Sequence, residues 1–95
     1  MEQKLSKEGW QGFLALCGIV KSPEEFDRFF ELFLTLEEKE MLAKRFLIVK
    51  ALHEEKLTQR EIADQLGVSI SQITRGSNAM KIIDFPLRKM LDKLL

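Results

Sequence analysis

Around residues 58–78 the chain carries side chains able to read polar edges: Ser69, Ile70, Ser71 and Gln72 in one turn, with Gln59, Arg60, Thr74 and Lys81 nearby. Two helix starts, Thr58-Gln59-Arg60-Glu61 and Ser69-Ile70-Ser71-Gln72, flank a glycine turn, Leu66-Gly67-Val68. The first opens on a hydroxyl residue followed three places on by an acid, a capping box that satisfies the free amides of a first helical turn, and both helices read as short and capped. Gly67 tolerates the left-handed backbone such a turn needs. Ala63 is the small residue where two helices can cross, and Ile62, Leu66, Val68 and Ile73 are spaced to form the core between them. A helix-turn-helix of this kind places the first turn of its second helix in the major groove of double-stranded DNA. There Gln72 can read an adenine edge and Ile70 a thymine methyl, with Ser69 and Ser71 beside them. Arg60, Thr74 and Lys81 suit phosphate contacts, which position a protein without specifying sequence, and Gln59 suits either task. The same spacing also fits an ordinary helical hairpin with a glycine turn.

The elements around this segment read as helices throughout. Trp10, Phe13, Leu14 and Cys17 recur at helical spacing and mark one face of a first helix. Ser22-Pro23-Glu24-Glu25 starts a second, with Ser22 as cap, Pro23 in the first position and Glu25 closing a capping box. Phe26, Phe29, Phe30 and Phe33 line it as core residues. Thr35-Leu36-Glu37-Glu38 opens a third helix to about Glu55, apolar on several sides and therefore central. The fifth helix is weakened at Gly76-Ser77-Asn78, and Asp84-Phe85-Pro86 starts a sixth with Leu87, Met90, Leu91 and Leu94 on one face.

The 95 residues fit one domain, and 45% are hydrophobic, so part of the apolar surface is expected to be buried against another chain. Fifteen basic and fifteen acidic residues cancel, although residues 58–95 carry six basic against four acidic. Local charge matters more for DNA than the total. One cysteine, Cys17, excludes an internal disulfide, and with the single His53 it leaves no metal cluster. No nucleophile–base pair or phosphate loop is present, so an enzyme is not expected. His53 reads as a cation favouring a helix end, and Trp10 as core or interface packing. No run is long and apolar enough to span a bilayer and the N-terminus has no leader-like stretch, which implies the cytoplasm and no membrane partner.

At Leu57-Thr58-Gln59-Arg60-Glu61-Ile62 and Ile73-Thr74-Arg75-Gly76-Ser77-Asn78 the sequence resembles the trp repressor family. The resemblance extends through Leu34-Thr35-Leu36 and Arg45-Phe46-Leu47-Ile48-Val49, from about residue 32 to 81. It implies an all-α fold of six short helices per subunit and an intertwined homodimer, a family that is itself a standard example of helix-turn-helix docking. Residues 1–57 and 84–95 would then be dimerisation helices and 58–78 the helix-turn-helix. It also implies L-tryptophan as corepressor, sandwiched between Arg45 and Arg75, with Thr35, Leu32 and Leu34 of the other subunit lining the pocket. Gly76 would let the backbone approach the ligand. The implied function is repression of tryptophan biosynthesis or uptake genes.

The sequence departs from the family pattern in three places. Ala79 stands where a serine hydroxyl helps hold the ligand ammonium. Ala63 and Asp64 replace more basic or amide residues, which implies a different operator preference. The N-terminal arm is short, which implies fewer non-specific or tandem contacts. Two further readings stand beside tryptophan gating: a DNA-binding dimer that is constitutive or answers another indole or amino-acid ligand, and a helical interaction module that does not bind DNA.

Overall fold

The computed structural model describes residues 2–95 and contains six helices and no strand among them. They are α1 (Glu2–Ile19), α2 (Pro23–Phe33), α3 (Leu36–Glu54), α4 (Gln59–Leu66), α5 (Ile70–Ile82) and α6 (Phe85–Leu94). The chain divides into two compact units after Thr35.

The N-terminal unit pairs α1 with α2 through aromatic rings. Phe13 of α1 stacks on Trp10 at 5.7 Å and meets Phe29 and Phe33 of α2 at 5.7 and 5.3 Å. Along α2, Phe26, Phe29, Phe30 and Phe33 form a continuous ladder. Offset and edge-on pairs of this kind add about 0.5–1.5 kcal/mol each beyond their area. These rings are nonetheless only half-buried, Phe33 is exposed, and Trp10 is 61% exposed. The expected phenylalanine core is thus an aromatic seam still open on one side. Ser22 caps α2 by accepting the Glu25 amide at 3.1 Å, and Pro23 fills the first turn. The Glu25 carboxylate reaches one residue further back than a capping box requires and accepts from the Lys21 amide at 3.0 Å.

In the second unit α3, α4 and α5 share one buried cluster of Ile48, Ile62, Ala63 and Ile73. Ala51, Leu52, Leu57, Leu66 and Val68 pack against it. Gly76 explains how closely α5 can approach α3. A Cβ on it would stand 2.9 Å from Ile48 Cγ2 and 3.5 Å from Leu52 Cδ1. The helix continues through Gly76 to Ile82, so this glycine marks a packing contact and does not end the element. The expected central role of α3 holds only from Ile48 onward. Ile48 is buried, whereas Leu36, Met41, Leu42, Phe46 and Leu47 are exposed.

Among the described residues two take left-handed backbone, Gly67 at φ +65° after α4 and Glu55 at φ +56° after α3. Only the first is glycine, the one residue that occupies this region without steric cost. α6 starts on Asp84, which accepts the Leu87 amide at 2.9 Å, with Pro86 in the first turn. It is fastened by Arg88, which donates to the Met80 carbonyl, and by His53 Nε2, 2.8 Å from Asp92 Oδ1. His53 stands in the last turn of α3, as expected, and has in addition a partner on another helix.

Three substitutions test this backbone. Gly67→Ala should cost about 1 kcal/mol through strain alone, because no atom lies near the added methyl. Glu55→Gly should stabilise by up to about 1 kcal/mol. Gly76→Ala should destabilise by about 1–3 kcal/mol, because Ile48 is buried and its β-branched methyl is stiff. Urea unfolding of the three variants gives the ranking.

Candidate nucleic-acid interface

The two helices of the reading head are built by the same local device. Thr58 Oγ1 accepts the Glu61 amide at 3.1 Å while Glu61 Oε1 accepts the Thr58 amide at 3.0 Å. Eleven residues on, Ser69 Oγ accepts the Gln72 amide at 3.2 Å and Gln72 Oε1 accepts the Ser69 amide at 3.0 Å. Each box satisfies two amides that a helix start would otherwise leave unpaired. Between them the Val68 amide returns to the Ala63 carbonyl at 3.1 Å, closing the turn around Gly67. Ala63, buried as expected, leaves room for Ile62 and Ile73 to complete the core beneath the turn.

This scaffold leaves the first turn of α5 open. Ile70 is 49% exposed, and Ser69, Ser71, Thr74 and Arg75 are exposed. Gln59 and Arg60, in the first turn of α4, are exposed, as is Lys81 in the last turn of α5. All eight residues expected to touch DNA therefore belong to one unit, and seven of them are exposed. The eighth, Gln72, is half-buried and holds its carboxamide oxygen in the cap. Ser69 Oγ lies 3.1 Å from Ser71 Oγ and 3.4 Å from Gln72 Oε1, so three side chains of this turn form one polar chain.

The residues expected around a ligand divide between the two units. Arg45, Arg75, Gly76 and Ala79 lie in the second. Arg45 precedes Ile48 by about one turn on α3, and Arg75 immediately precedes Gly76, which packs against Ile48 and Leu52, on α5. Both arginines are exposed, Gly76 is buried and Ala79 is half-buried. Gly76 presents its Cα to Ile48 and Leu52, a packing role that its place in the sequence does not announce. Leu32, Leu34 and Thr35 end the N-terminal unit; Leu32 and Thr35 are exposed and Leu34 half-buried. Among the described residues no group of three or more His, Cys, Asp or Glu is placed to hold a metal ion, and no helix is long and apolar enough to cross a membrane.

Sequence reasoning missed the fastening of α6 through Arg88 and His53. Their partners, Met80 and Asp92, leave no periodic signal that would have revealed them.

Glu61 carries a clear electrostatic shift. The Thr58 amide first, and its hydroxyl second, hold the Glu61 carboxyl below the ordinary carboxylate range, against a small opposing effect of burial. The folded value lies below the unfolded one, so its contribution is complete above about pH 4.3 and fades as pH falls through the lowered value. Thermal melts from pH 7 to 3 should therefore show a steeper acid loss for the natural chain than for Glu61→Gln, and equal acid slopes would contradict the assignment.

Comparison with known proteins adds sequence to this geometry. A family model described as Trp repressor protein matches residues 8–95. The chain is 56% identical over 94 residues to a Trp operon repressor homolog of Chlamydia caviae, covering 99% of this chain and 93% of the relative. It is 47% identical over 87 residues to a Trp operon repressor homolog of Chlamydia trachomatis serovar D, covering 92% and 93%. A Trp operon repressor homolog of Vibrio vulnificus is 34% identical over 95 residues, covering 100% and 93%.

Proposed function

From the premise that this chain belongs to the Trp repressor family of transcription regulators, we propose that it is a cytoplasmic homodimer that binds operator DNA when L-tryptophan occupies a site between Arg45 and Arg75. The regulated genes would be those of tryptophan biosynthesis or uptake.

The observation that carries this reading is the contact at Gly76. It brings α5 against α3 where each helix carries one of the two arginines, so a ligand seated there bears on the reading helix itself. An indole ring between two guanidinium planes gains stacking and cation–π attraction of about 0.5–2 kcal/mol per contact. The same guanidinium groups can pair with the ligand carboxylate. Leu32, Leu34 and Thr35 of the second subunit would close the pocket, while Gly76 would act through its contact with Ile48 and Leu52, which already fills the place of a side chain. Gating needs a difference in affinity between the DNA-competent and incompetent arrangements, since a ligand bound equally by both shifts nothing.

Dimer formation is supported by the apolar side chains left uncovered on α3 and α6. Met41, Leu42, Phe46 and Leu47 on α3, and Phe85, Leu87, Met90 and Leu94 on α6, are exposed. Large apolar side chains left exposed in such number on a small domain point to an association site. Phe46→Glu should shift the species seen in sedimentation equilibrium from dimer to monomer at micromolar concentration, and an unchanged dimer would argue against this face.

Ala79 favours a second reading. It lies one turn beyond Arg75 on α5 and carries a methyl in place of a hydroxyl. A pocket that lacks this donor would discriminate less against indole ligands without an ammonium, so the regulator would answer a broader indole or amino-acid class, or act constitutively.

Fluorescence anisotropy with labelled operator DNA at fixed salt tests both. L-Tryptophan should raise affinity by at least about tenfold, the size expected of a 1.4 kcal/mol coupling. Arg75→Ala should abolish that response while helical circular dichroism stays intact. Equal affinity with and without L-tryptophan would remove the gating and leave the constitutive reading. An affinity that does not fall with rising salt would count against phosphate contacts altogether.

A further inference from the structure

We infer that Gln72 is a positioning residue that locks the first turn of α5, and that sequence is read by its neighbours Ser71 and Ile70; the assignment rests on the DNA-binding reading above. Bidentate pairing of a glutamine with adenine needs the carboxamide oxygen as acceptor and its nitrogen as donor. In Gln72 that oxygen is already engaged, accepting the Ser69 amide at 3.0 Å and facing the Ser69 hydroxyl at 3.4 Å. The side chain is half-buried, while Ser71 and Ile70 are exposed on the same turn. Turning Gln72 toward a base would therefore open the box and release the Ser69 amide.

The box on α4 makes the comparison. There the same task falls to Glu61, with the same two bonds. α5 uses an uncharged carboxamide at the equivalent place. A carboxylate on the turn that enters the groove would repel the phosphates, whereas glutamine closes the cap without that cost.

Ser69 Oγ donates toward Gln72 Oε1 and accepts the Gln72 amide. With the Ser69 proton on Gln72 Oε1, the bond of Ser69 with Ser71 Oγ at 3.1 Å is donated by Ser71. A hydroxyl has one donor and two acceptor sites, so in that arrangement the exposed Ser71 keeps its acceptor sites. Acceptors in the major groove select an exocyclic amine, the N6 of adenine or the N4 of cytosine. Ile70, 49% exposed beside it, fits a thymine methyl.

Selection from a random duplex pool, at saturating L-tryptophan and fixed salt, tests this whatever the operator sequence is. Gln72→Ala should enrich the same consensus as the natural chain. Its affinity should fall by a common factor of roughly two to ten on consensus and scrambled duplexes, the effect of a lost cap. Gln72→Glu keeps the cap and should restore the melting temperature with the consensus again unchanged; it carries the test if the alanine variant unfolds. Ser71→Ala and Ile70→Ala should each relax the consensus at one position, with discrimination there falling on the order of tenfold. Loss of a base preference in Gln72→Ala or Gln72→Glu, at a position that Ser71→Ala and Ile70→Ala retain, overturns the assignment. A natural chain that enriches no sequence overturns the DNA-binding reading and this assignment with it.

Discussion

The approach of α5 to α3 at Gly76 is the constraint on which the second unit depends. A single missing methyl lets the reading helix lie against Ile48 and Leu52. Once it does, Ile73 reaches the buried cluster with Ile48 and Ile62, and α4 closes over both through Ala63. Interiors packed to crystalline density do not deform gradually, so the position of α5 is set by this contact and not by the loop before it. The exposed first turn of α5 inherits its aim from a glycine about two turns further along the same helix.

Polar bonding complements that packing. The helix starts of the second unit, where their caps are defined, rest on side chains three residues away, and the two boxes of the reading head use four residues to satisfy four amides. These are local bonds that form with the helix itself. They fix where α4 and α5 begin while leaving the apolar cluster to fix how they cross.

What was legible in the sequence follows this division. Thr58, Glu61, Ser69, Gln72, Asp84 and Pro86 announced helix starts because capping depends on neighbours within one turn. Gly67 and Ala63 were readable for the same reason. Gly76 was not, since its contact lies on a different helix, and with Ser77 and Asn78 beside it the stretch reads as a weak point. The same blindness covers His53 with Asp92 and Arg88 with the Met80 carbonyl. Burial was misjudged where periodicity marks an apolar face without saying what covers it, as on Phe33 and the part of α3 before Ile48. Family membership was legible from Ile73-Thr74-Arg75-Gly76-Ser77-Asn78. Arg45, taken singly, reads as a surface cation, and only the resemblance pairs it with Arg75.

The fastening of α6 has a consequence for the order in which the unit comes apart. No α6 side chain contributes to the buried cluster. The helix is tied to its neighbours by a guanidinium on a carbonyl and by an imidazole on a carboxylate, the latter on a largely solvent-facing aspartate. Bonds of that kind are modest. Segments with few buried apolar contacts open at low free energy, well below global unfolding. α6 is therefore the first element to detach, and when it leaves, Arg88 lets go of Met80 and with it the far end of the reading helix. Anything that seats the apolar face of α6 steadies the opposite end of α5 from the one that meets the groove.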